Sequence, residues 1–258
     1  MEAKPNGCVG DLKNDLNEIL NVVVVPDMSG MIDEQCIYKV PPNIREANPQ
    51  AYTPQIISIG PFHSPLGSSR DNILHKMEKL KFKYFKGFVN RTKVSVDDLV
   101  FKFQEWEDRI RSCYAELFSF NSNEFLKIII VDACFIVELF IRFSLSRYWI
   151  QDDPILQSHW LRRDIARDLV LLENQLPFFV LQYIYDLFGI TEFGTFLQIS
   201  ITFFKPFSLN LPYLSSERVE YPKHFTDMLR TFLMQTQQNY NFNFDFDDRV
   251  IGLILMIV

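Results

Sequence analysis

Glycine is scarce in this chain of 258 residues, with nine in all. That argues against a fold built on glycine-rich phosphate loops. Cysteine is scarcer still. Cys8, Cys36, Cys113 and Cys134 stand far apart, and no Cys-x-x-Cys occurs, which removes zinc-ribbon and dithiol redox motifs. Four scattered thiols in a chain this long read as reduced, in a cytosolic setting. No Gly-x-Ser-x-Gly elbow and no His-x-x-x-His pair is present. Positive charge is short as well: the net charge is −6, whereas nucleic acid wants a basic field. Residues 1–20 are polar and lack the apolar core of a secretory signal. One sequon, Asn90-Arg91-Thr92, matters only if that segment reaches a lumen.

What is plentiful is phenylalanine, 25 residues of it, in a chain long enough to bury a proper core. Helical spacing dominates. Residues 11–25 read as a short helix stopped by Pro26. Residues 36–40 and 55–59 read as short extended pieces framed by Pro41-Pro42, Pro54 and Pro61. Residues 72–91 form an amphipathic helix whose apolar stripe runs from Leu74 to Phe88 and is broken by Lys81 alone. Residues 96–117 place Leu99, Phe103, Trp106, Ile110, Cys113 and Leu117 on one seam. Residues 125–145 are the most apolar. They carry Asp132 and Glu138 near their centre, and two such acids offset most of the gain of membrane insertion. This is a buried core helix, with Glu138 and Arg142 paired at the surface. Residues 161–176 are expected to be helical up to Pro177, followed by a helix over 178–188 capped by Gly189. Shorter helices are expected over 195–204 and 224–235. The alternating Tyr240, Phe242, Phe244 and Phe246 have strand periodicity, and residues 250–258 are apolar but too few to span a bilayer. The division is a polar segment 1–21, a helical domain 22–235 and a divergent tail 236–258. The fold class is mainly α: one helical domain with a few short extended segments near its start.

Three blocks carry a signature. The first is Cys36-Ile37-Tyr38-Lys39-Val40-Pro41 with residues 51–63, which include Pro54-Gln55-Ile56-Ile57-Ser58-Ile59-Gly60-Pro61. The second is Arg111-Ser112-Cys113-Tyr114 with residues 131–140. The third runs from Asp168 to Leu181 through Leu172-Glu173-Asn174-Gln175-Leu176-Pro177-Phe178-Phe179. In this order, from about Val22 to Arg230, the chain closely resembles the plant family catalogued as domain of unknown function 247, also called uncharacterised protein family 0481. The resemblance implies a helix-rich protein of unknown biochemistry. Family members usually run longer and end in one transmembrane helix, and some grass members are implicated in self-incompatibility, which implies recognition rather than catalysis. The distal part and the anchor helix are missing after residues 224–230, so a truncated member is expected.

Candidate sites follow from chemistry. Asp132, with Ile128, Phe135 and Ile136 as same-face neighbours, is expected to be buried, and a buried carboxylate needs a partner or a raised pKa. It reads either as a general acid/base, with Glu173, or as a structural acceptor for a backbone group or an arginine such as Arg163 or Arg167. Glu173, Asn174 and Gln175 read either as a polar ligand-binding edge or as partners for backbone groups freed before Pro177. His63 follows Gly60-Pro61 on a loop where a catalytic histidine can sit, while His75, His159 and His224 are isolated. Glu138 completes the polar residues of the family blocks. Lys76, Lys79, Lys83 and Lys86 share one helix face, and residues 70–93 hold eight basic side chains against two acidic ones. That face reads as solvated, or as a contact with anionic lipid.

The expected function is a non-enzymatic, membrane-associated recognition or signalling protein, placed by resemblance at the plasma membrane, with a protein partner and a membrane surface as its contacts. No cofactor, metal or nucleic acid is expected. The alternatives are an enzyme using buried acids, a truncated member without function, and a cytoplasmic location in the absence of the anchor.

Overall fold

Helix α4, Ser122–Ser144, starts where Asn121 and Glu124 form a reciprocal capping box: the Asn121 side chain accepts from the Glu124 N–H, and the Glu124 side chain accepts from the Asn121 N–H. Its sequence is apolar nearly all round, so it has to be enclosed on every side. In the computed structural model, which describes residues 35–64, 73–145, 153–189, 194–206 and 221–239 (side chains as far as Phe232), it is so enclosed. All of these residues but Gln35 fall in one unit, Cys36–Val258.

The order of elements is α1 (Pro42–Ala47), a 3-10 turn (Pro49–Ala51), α2 (Ile73–Thr92), α3 (Val96–Ser112), α4, α5 (Pro154–Gln157), α6 (His159–Asp168), α7 (Phe178–Asp186), α8 (Phe196–Phe204) and α9 (Phe225–Asn239). Helices α2, α3, α7 and α8 all pack on α4. Phenylalanine fills the seams. The Phe140 ring of α4 meets Phe196, Phe203, Phe204 and Phe225 at centroid distances of 4.1–6.0 Å. The mainly α reading therefore stands. Among the described residues no helix is long and apolar enough to cross a membrane. The helix over 11–25, the strand-like 240–246 and the apolar 250–258 lie outside the described residues.

Several boundaries differ from expectation. Helix α3 ends at Ser112, which takes Leu117 out of the seam and leaves it fully exposed. Helix α6 ends at Asp168 rather than running to Leu176, because Asn174 and Gln175 hydrogen-bond the carbonyls of Asp168, Leu169 and Leu171 and hold a turn instead. The extended pieces form no sheet among the described residues. They contribute one isolated parallel bridge, Ile37 with Tyr114. Gly189 has φ 63° and closes α7 as expected.

The surface placement of Glu138 and Arg142 was wrong. Glu138 is 0% and Arg142 3% exposed, since α2 covers that face of α4. Glu138 Oε1 receives Arg142 Nε and Arg91 Nη2, each at 2.7 Å. Arg142 Nη1 reaches Asp153 Oδ2 at 2.9 Å, and the Tyr84 hydroxyl donates to the same carboxylate at 2.9 Å. Burial and the neighbouring Asp153 hold the Tyr84 hydroxyl well above its ordinary value, so it stays a donor. Gly87 of α2 faces this cluster. A β-carbon there would press on Arg142 Nη2 and stand 3.2 Å from Glu138 Oε1. Because Asp153 and Glu138 hold the guanidinium from two sides, it cannot swing away. Gly87→Ala is expected to destabilise the protein by about 1–3 kcal/mol despite alanine's helix propensity. Urea unfolding measures this, and a variant as stable as the parent would show that the cluster yields.

Candidate functional site

Residues 53–63 cross the helical unit as irregular chain with no strand beside them, although Ile56, Ile57, Ser58, Ile59 and Gly60 are buried. Buried N–H groups need acceptors, and here side chains supply them. Asp168 Oδ2, at the end of α6, accepts from the N–H groups of Gln55, Ile56 and Ile57 at 2.9, 2.6 and 3.0 Å. Asn174 Oδ1 accepts from the Ile59 N–H at 2.7 Å, while its amide nitrogen donates to the Ile57 carbonyl at 3.0 Å. Asp132 Oδ2, on α4, accepts from the Gly60 N–H at 2.9 Å. Lys81, the residue that broke the stripe of α2, donates to the Ser58 carbonyl and to Asp132 Oδ1, the latter at 2.7 Å.

Gly60 has φ 71°, and a β-carbon there would sit 2.7 Å from the Gln175 carbonyl oxygen. Only glycine lets the two family blocks come this close. The same carbonyl accepts from the Tyr114 hydroxyl at 3.1 Å, bringing the second block to the other two. Gln175 Oε1 accepts from the Phe225 N–H at 3.0 Å and so positions the start of α9.

Glu173 holds the edge of the loop. Its Oε1 accepts from the Val40 N–H at 2.7 Å, and its Oε2 pairs with Arg45 Nη2 and lies 3.0 Å from His63 Nε2. Burial alone would raise this carboxyl. His63, Arg45 and the Val40 N–H together hold it below its ordinary value.

The structure thus brings His63 and Glu173 together, as an ion pair whenever the ring is protonated. Asp132 and Glu173 share no partner: the first accepts from the Gly60 N–H, the second from the Val40 N–H. The partners of Asp132 are the backbone, as one reading allowed, and Lys81 rather than Arg163 or Arg167. Asn174 serves backbone groups, the other reading offered for it. Burial pushes the Asp132 carboxyl up to about 6, against the pull of Lys81. Asp168, Gln175 and Lys81 do much of the gripping, yet sequence reasoning gave Asp168 and Lys81 no role. The signal was there: a lysine alone on an apolar stripe asks for a buried acid. Lys76, Lys79, Lys83 and Lys86 are exposed, as the helical period required. Among the described residues no three His, Cys, Asp or Glu side chains converge as for a metal.

An α-helical unit whose separate sequence blocks are joined by buried polar contacts is the class of protein at hand. The chain belongs to the family of plant proteins of unknown function called domain of unknown function 247, whose model matches residues 37–243. It is similar to two proteins of Arabidopsis thaliana. UPF0481 protein At3g47200 is 32% identical over 206 residues, which cover 79% of this chain and 42% of that protein. UPF0481 protein At3g02645 is 33% identical over 147 residues, covering 57% of this chain and 26% of that protein. The chain thus spans less than half the length of these relatives. No solved structure matches it.

Two outcomes are expected of the clamp. Lys81→Met strands a buried carboxylate and should cost about 3–5 kcal/mol, whereas Lys81→Met with Asp132→Asn, a neutral acceptor for Gly60, should recover more than half of that. A double variant no more stable than the single one in urea unfolding would contradict the pairing. The second concerns His224. Its Nε2 lies 2.8 Å from the Cys36 carbonyl oxygen, and its Nδ1 accepts from the Asp227 N–H at 3.2 Å. The ring is therefore a neutral Nε2–H tautomer, and burial lowers its pKa to about 4 from 6.5. The stabilisation from the depressed value is present above pH 6.5 and is lost as the pH falls toward 4. His224→Gln keeps a donor and an acceptor but does not titrate. Its stability deficit against the parent should shrink by about 3 kcal/mol from pH 7 to pH 4, with Asp132 common to both proteins. A pH-independent difference would mean that the ring is not buried neutral.

Proposed function

We propose that this chain is a non-enzymatic recognition or signalling protein that works at a membrane, through its exterior, with its motif residues serving the fold. The observation that carries the reading is the engagement of those residues. Asp132, Glu173, Asn174 and Glu138 each meet two or more backbone or basic partners within the unit, which supports a structural role for them over proton transfer. His63 directs one ring nitrogen at Glu173, and no nucleophile stands among its described contacts. Recognition between molecules then falls to exposed groups, and the family resemblance favours the plasma membrane as the place.

The test is fractionation of the chain, tagged at its N-terminus, from plant cells. The chain is expected in the membrane pellet and, after cross-linking, in a defined complex with another protein. A chain that stays wholly soluble and monomeric would end the reading. Turnover by the pure chain that is lost in a folded Glu173→Gln variant would replace it with an enzyme.

A further inference from the structure

The exposed face of α2 carries charge of one sign. Buried Met77, Lys81, Tyr84 and Phe88 mark its inner side. At 100° per residue, Lys76, Lys79, Lys83 and Lys86 fall on the opposite side within one arc, along about 15 Å of axis. All four are exposed, and among the described residues none has an acidic partner. The one acid of the helix, Glu78, lies off this arc and pairs with buried Lys81. Two apolar side chains flank the lysines: Ile73 is 41% and Phe82 44% exposed. Lys127, exposed on α4, places its Nζ 5.7 Å from the centroid of the Phe82 ring and adds a fifth charge. A chain with net charge −6 has therefore gathered an unopposed basic strip on one helix.

We infer that this strip is a docking surface for an anionic lipid bilayer, a partner that gives the membrane role proposed above a direct contact. Three features select lipid over an acidic protein. The charges are all lysine, a point charge suited to a diffuse anionic plane, whereas carboxylate recognition in register favours the arginine fork. The strip is the convex side of a rod, which meets a plane along its length. The exposed phenylalanine and isoleucine sit beside the lysines, the composition that places a helix in the headgroup layer. Phosphate headgroups neutralise the lysines, and Phe82 enters the acyl boundary beside them.

The probe is sedimentation of the full chain with phosphatidylcholine vesicles, with and without phosphatidylserine. Binding is expected only with phosphatidylserine, and high salt should release it. Replacing Lys76, Lys79, Lys83 and Lys86 by glutamine should weaken binding by about 100-fold or more, at about fivefold per lysine. Replacing them by arginine should retain it. These side chains are exposed, so both variants should melt as the parent does. Equal binding to both vesicles, or binding that survives the glutamine variant, would overturn the inference. So would absence of binding to either vesicle, including the case in which the strip captures an acidic protein. If the chain still pellets with membranes in cells after such a failure, the membrane role stands and is mediated by a protein.

Discussion

A stretch of buried backbone without a sheet has to find its hydrogen bonds elsewhere, and residues 53–63 are such a stretch. Seven of their backbone groups are met by Asp168, Asn174, Asp132 and Lys81, from four places in the sequence. An orphaned N–H in such a place costs about 1–3 kcal/mol, so the loop and its acceptors have to form together. Other parts follow from this. Asp168, the last residue of α6, caps the loop with its carboxylate, and Asn174 and Gln175 turn the chain between α6 and α7 by holding the carbonyls behind them. Gln175 in turn seats the first turn of α9.

The polar residues of the sequence blocks join one block to another. In a core of aliphatic and phenylalanine side chains, packing leaves many near-equivalent arrangements. Directional contacts do not. Each block contributes one half of a contact completed by another: Gly60 with Asp132, Tyr114 with the Gln175 carbonyl, Val40 with Glu173. The ion cluster of Glu138, Arg91, Arg142 and Asp153 does the same for α2, α4 and the chain before α5. Such clusters add little net energy over an apolar core, and here the cluster ties α2 and α4 to the chain before α5.

Interior and exterior thus divide the chemistry. Lys81 and Lys83 are two residues apart on one helix. The first is sealed against Asp132, and the second faces outward with three other lysines. The helical period decides which is which, and that division sends a functional reading to the surface.

Helix positions were readable along the chain because the 3.6-residue period of Leu, Ile and Phe is a local property, and so were the buried state of Asp132 and the exposure of the lysine face. The resemblance, too, rested on contiguous residues. What required the folded chain was every pairing. Lys81 looked like a flaw in a stripe until α4 brought Asp132 beside it. Glu138 and Arg142 looked like a surface pair because spacing within α4 says nothing of the Gly87 face that covers them. The end of α6 was invisible because local propensity continues to Leu176, while Asn174, whose amide donates to the Asp168 carbonyl, also serves a loop more than a hundred residues earlier. Periodicity records which side of a helix turns inward, and the partner waiting there is decided by chain that is distant in sequence.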